Sequence, residues 1–141
     1  MTEVFTAEKA IDRPVDEVWA RLTDWGSAAQ WMPGVDALHA EGPTAVGTNL
    51  VFTTRGKERT GQIAALDPGH SFTVRSVQGG VTADYVYTVA PQGDGTRVAL
   101  VADCRMTGPI RLLGPVIRSA IRKADSGQLD AFARTFPAEV S

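Results

Sequence analysis

The segment VTADYVYTV, residues 81–89, sets Tyr85 and Tyr87 two positions apart. In an extended chain, side chains two apart point the same way, so both phenols fall on one face with Val81, Ala83 and Val89. Two hydroxyls on an otherwise apolar face can orient a ligand carbonyl. They can also act as general acids, as a cyclisation or dehydration requires. The same hydroxyls in a packed core would bond to backbone or water. Cys104 shares the face of the next alternating run with Val98, Leu100, Ala102 and Met106. There it reads as a small buried hydrophobe ahead of a nucleophile, because it lies on an apolar strand face.

The other chemistry-bearing residues are scattered. His39 and His70 have no His, Asp or Glu neighbours at ligand or triad spacing, so no metal site and no catalytic triad is expected. His70 follows a Pro-Gly turn and reads as surface; His39 is the better functional candidate of the two. Of the three tryptophans, Trp19 lies in a helical apolar stripe and reads as core. Trp25 and Trp31 could contribute to an aromatic lid, with Trp31 the stronger candidate because it abuts Pro33-Gly34. No Gly-rich phosphate loop is present, since the glycine clusters fall where hairpins need them. Arg111, Arg118, Arg122 and Lys123 form a basic stripe, either a solvated helix face or a contact for an anionic lipid surface or acidic partner protein.

Alternating and helical patterns position these groups. Val4 to Ile11 reads as a first strand. Pro14 then opens a short amphipathic helix through Val15, Val18, Trp19 and Leu22, with Asp12 as its expected cap and Asp16 and Glu17 at its positive end. A second short helical stretch is expected over 28–31. From Val35 to Met106 turn signals recur at Glu41-Gly42-Pro43, Arg55-Gly56-Lys57, Asp67-Pro68-Gly69, Gln78-Gly79-Gly80 and Gln92-Gly93-Asp94-Gly95, which describes an antiparallel meander. Leu50, Phe52, Phe72 and Val74 are assigned to its inner face; Thr82, Asp84, Thr88, Arg97, Asp103 and Arg105 look outward. After Gly108-Pro109 the period returns to that of a helix as far as about Thr135. Leu113, Ile117, Ala120, Ile121, Ala124 and Ala131 fall on its buried arc.

With 141 residues, 43% of them hydrophobic and 21% charged, the chain suits a single globular domain over 1–141 that buries roughly two thirds of its unfolded surface. A net charge of -2 argues against nucleic acid as a partner. A lone cysteine excludes an intrachain disulfide. No apolar run approaches the ~18 residues of a membrane span, and the N-terminus lacks the pattern of a signal peptide. A cytoplasmic protein without integral membrane association is the resulting expectation.

The order of strand, two short helices, six strands and long C-terminal helix resembles the SRPBCC (START-like) superfamily, in particular its polyketide cyclase/dehydrase and lipid-transport branch. IDRPVDEVWARLTD resembles the family's first strand-to-helix passage, WMPGV its second-helix exit and VGTNLVF its third strand. ALDPGHSFTV resembles an internal Asp-Pro turn, YTVAPQGDGTRVAL the last hairpin and GPIRLLGPVIRSAIRKADSGQL the terminal helix. The resemblance implies an α+β helix-grip fold, a curved seven-stranded antiparallel sheet wrapped around the C-terminal helix, with an apolar cavity between them. It makes Tyr85, Tyr87, Trp31, Phe52, Phe72, Leu100, Cys104, Ile117, Ile121 and Ala124 candidate ligand contacts. The expected function is binding of a small hydrophobic, lipid- or polyketide-like molecule without a cofactor. A cyclase or dehydratase using the cavity tyrosines and a protein-interaction module using the basic helix face are the alternatives.

Overall fold

The computed structural model of the chain describes residues 2–31, 35–54, 56–78, 81–106, 114–116, 119 and 128–133. Seven strands form one antiparallel sheet: β1 (Thr2–Ile11), β2 (Val35–Ala40), β3 (Asn49–Thr54), β4 (Lys57–Asp67), β5 (Ser71–Gln78), β6 (Val81–Gln92) and β7 (Gly95–Met106). The spatial order β1-β7-β6-β5-β4-β3-β2 is a meander from β2 to β7, closed by β1 on the outer edge of β7. Register shifts in β1 between Glu3 and Phe5, in β2 between Val35 and Ala37 and in β4 between Ile63 and Ala65 are where bulges bend the sheet.

Between β1 and β2 lie helix α1 (Val15–Leu22) and a 3-10 helix (Trp25–Gln30). Pro14 occupies the N-cap of α1, and no side chain caps that end. The cap expected from Asp12 is therefore absent, because Pro14, with an extended backbone, holds the N-cap position and Asp12 lies two residues before it. Val18 and Leu22 are buried, with Val15 and Trp19 packed against the core. At the other end both the amide and the hydroxyl of Thr23 donate to the Trp19 carbonyl. The second helix begins at Trp25, earlier than the sequence pattern places it, and is a tighter 3-10 turn.

The C-terminal region is helical at 114–116 and over α2 (Gln128–Ala133). Leu129 and Phe132 are buried in α2, while Ala131 is only partly so. Leu129 and Phe132 lie off the arc drawn from Leu113 to Ala131. Burying a leucine and a phenylalanine removes more apolar surface than burying an alanine, and the two large side chains take the inner positions. Among the described residues, no helix is long and apolar enough to cross a membrane.

Candidate functional site

Strand pairing brings the core-facing residues into ladders that cross the sheet. One ladder runs Leu66, Phe72, Tyr87, Leu100, Ala7, and the next runs Ile63, Val74, Tyr85, Ala102. A third runs Leu50, Gly61, Ser76, Ala83, Cys104. The first ladder is bulky and aromatic. Beyond Leu50, the third carries only small side chains.

The aromatic ladder is the middle of a connected set of rings. Phe72 stacks on Tyr87 with centroids 4.9 Å apart and receives the edges of Trp19 at 5.8 Å and Trp25 at 5.3 Å. Trp31 meets Tyr87 at 6.0 Å and Phe132 of α2 at 5.1 Å, both edge to face. These offset and T-shaped geometries suit the ring quadrupoles. The set ties the two short helices, the sheet and α2 together.

The sequence candidates fall as follows. Tyr87, Phe72, Leu100 and Cys104 are buried on the core face, and Tyr85 and Phe52 are partly buried there. Trp31 retains 2% of its surface exposed, which puts it inside the core and not on an exposed lid. Trp25 is also buried, and its indole Nε1 donates to Thr44 Oγ1 at 3.1 Å. Ile117, Ile121 and Ala124 lie outside the described residues, as do Arg111, Arg118, Arg122 and Lys123 of the basic stripe. His39 and His70 are both exposed.

Alternation puts Asp84 on the outer face, yet it retains only 7% exposure. Arg75, directly opposite on β5, covers it with a two-pronged pair, Nε to Oδ1 at 2.8 Å and Nη2 to Oδ2 at 2.9 Å. The hydrogen bond to Asp84, and then its negative charge, raise the guanidinium's pKa above its ordinary value. Asp103 faces Asp84 from β7, so Arg75 also relieves a like-charge pair. This carboxylate is committed to the outside of the sheet and gives the core face no acid-base group.

Two features escaped the sequence reading. Gly61 sits inside β4, where an added Cβ would lie 3.2 Å from Val74 Cγ1 and 3.3 Å from both the Arg75 carbonyl and Phe52 Cε1. A glycine interrupting an alternating strand is the signal for such a close approach. The second is Trp31 Nε1, a buried donor with no hydrogen-bond partner. Nothing in the linear sequence marks it.

The family model for polyketide cyclase/dehydrase and lipid transport matches residues 2–137. Norcoclaurine synthase from Thalictrum flavum, in a truncated form, superposes with a TM-score of 0.68 at 19% identity, covering 99% of this chain and 98% of that one. A protein from Thermus thermophilus gives 0.69 at 19% identity over 92% and 93% of the two chains. The di-domain aromatase/cyclase StfQ of the steffimycin biosynthetic pathway gives 0.70 at 15% identity over 92% of this chain and 47% of that one. No curated protein matches in sequence. At these identities the solved structures establish the helix-grip fold, and the low figures carry no residue roles.

Proposed function

The chain belongs to the polyketide cyclase/dehydrase and lipid-transport family, and on that premise we propose that it binds a small hydrophobic molecule between the core face of its sheet and its C-terminal helix. The observation that carries this reading is the small-residue ladder Gly61, Ser76, Ala83, Cys104 lying parallel to a bulky aromatic one on the same face. A sheet whose interior is filled by its own side chains interdigitates large with small to native density. Phe52 and Val74 close over Gly61, and the small side chains of Ser76, Ala83 and Cys104 leave depth for a guest, whose affinity comes from apolar burial and whose orientation comes from a few polar groups.

Family and fold support cyclase-type activity as much as binding in general terms. The described core face carries tyrosine hydroxyls, Ser76, the buried Thr96 hydroxyl, one thiol and the half-buried Lys9 of β1, opposite Val98, and the binding reading rests on how much of the remainder is apolar. The histidines are exposed and Asp84 is held on the opposite side by Arg75.

Native mass spectrometry of freshly purified protein, followed by extraction of any retained molecule, tests the reading directly. The expected result is a small apolar compound bound one to one, or uptake of an apolar fluorescent probe. Tyr85→Phe and Tyr87→Phe should keep the fold and weaken or redirect that binding by roughly twofold to tenfold each, the value of one hydroxyl contact. Protein that carries no compound and takes up no probe overturns the reading; turnover of a polyketide-like substrate moves it to the cyclase.

A further inference from the structure

Buried polar groups are nearly always hydrogen-bonded, and one left without a partner costs about 1–3 kcal/mol. Trp31 Nε1 is such a group: the ring is 2% exposed and the nitrogen has no partner. The contrast with Trp25 is direct. At the start of the 3-10 helix the fold gives the Trp25 indole a partner, Thr44, reached across the β2–β3 connection. Just past the end of that helix Trp31 is packed as deeply, and its donor is left over.

An indole nitrogen donates and cannot accept, so whatever completes Trp31 must bring an acceptor. The rings that pack on it, Tyr87 and Phe132, carry no charge. A ketone, quinone or hydroxyl oxygen on an apolar skeleton meets that need with no counter-charge, and a carboxylate would need a cation such as the half-buried Lys9 of the same face. A buried water is the other acceptor, since Tyr87 carries a hydroxyl that could hold one; it would leave the Trp31 N–H unmoved when a ketone binds.

Resting on the hydrophobic-ligand reading above, we infer that Trp31 is a specificity-determining residue, whose indole N–H donates to an oxygen on the bound molecule. The preferred guest is therefore an oxygenated apolar compound rather than a pure hydrocarbon. Tyr87 and Phe132 contact the guest's apolar part, and Trp31 sets where its oxygen lies.

The test compares 1-tetralone with tetralin, the same bicyclic skeleton with and without a carbonyl, by titration into 15N-labelled protein. The Trp31 indole resonance is identified as the one lost in Trp31→Phe. In the unmodified protein, tetralone should bind about fivefold tighter than tetralin, as expected for one net hydrogen bond. It should also shift the Trp31 N–H downfield while leaving that of Trp25 in place. In Trp31→Phe the advantage of the ketone over tetralin should vanish, whatever the affinity of tetralin itself. An unmoved Trp31 resonance in the presence of bound tetralone, or a ketone preference that survives the substitution, overturns the inference and leaves hydrophobic binding intact. Binding of neither probe overturns the ligand reading itself, and the inference with it. If Trp31→Phe does not fold, the three indole resonances are assigned by Trp19→Phe and Trp25→Phe and the shift alone decides.

Discussion

The core face closes differently at its two ends. Where the β6–β7 turn meets the end of β1, packing reaches the backbone. An added Cβ on Gly95 would lie 2.6 Å from the Ile11 carbonyl oxygen, and the buried Thr96 hydroxyl donates to the Arg13 carbonyl at 2.7 Å. Val89 and Val98 lie beside this contact, fully enclosed, and α1 packs Val18 and Leu22 over β6 and β7. Along the Gly61–Cys104 ladder the side chains are small, and Phe52 and Val74 close over Gly61. The first end is fixed by backbone contact, and the second is where the proposed guest would lie.

The aromatic set between these ends should give the largest effect. Phe72 touches Trp19, Trp25 and Tyr87, so Phe72→Ala opens a cavity under three rings and should cost about 3–5 kcal/mol in chemical denaturation. A loss below about 1 kcal/mol would mean that the rings close over the gap, and that the interior between the two ends is not rigidly packed.

Much of this arrangement is legible in the sequence, for reasons that differ by element. Alternation over Val81–Val89 and Val98–Met106 settles which residues face inward, because a period of two leaves no freedom once one face is buried. Tyr85, Tyr87, Leu100 and Cys104 follow from it. The pairing of Arg75 with Asp84 depends on the register between β5 and β6, which no local pattern specifies, so alternation alone leaves Asp84 on an open surface. The small-residue ladder is likewise a register property of four strands. The unpartnered donor on Trp31 depends on what the fold fails to bring near it, and only tertiary structure determines that. In the terminal helix, the arc drawn from Leu113 to Ala131 names Ala131 and not Leu129 or Phe132, which the structure buries, because a wheel orders positions by angle and not by side-chain size.

An intermediate effect should come from the closed end. Gly95→Ala drives a methyl group into the Ile11 carbonyl, an atom of the backbone that cannot rotate away, and β1 must shift from β7 to admit it. A cost of about 1–3 kcal/mol is expected, seen as a lower denaturation midpoint, with probe binding unchanged in whatever remains folded. Loss of binding ahead of unfolding would show that the closed end also shapes the site.

The smallest effect on stability should come from enlarging the small-residue ladder, and it is the most informative. Ala83→Leu adds three heavy atoms at the middle of that ladder, between Ser76 and Cys104. In a close-packed core such an addition forces side chains off their rotamers and costs about 1–3 kcal/mol. Above an unfilled row the leucine enters existing space and removes apolar surface from contact with water, so the two terms offset and the net change should stay within about 1 kcal/mol. The same leucine occupies the guest's place, and uptake of an apolar probe should fall by at least about tenfold, corresponding to the loss of about 1.4 kcal/mol of binding free energy. A stable variant that binds as before would place the guest away from this ladder. An unstable one would show that the row is already covered by the chain itself, making its two ends alike.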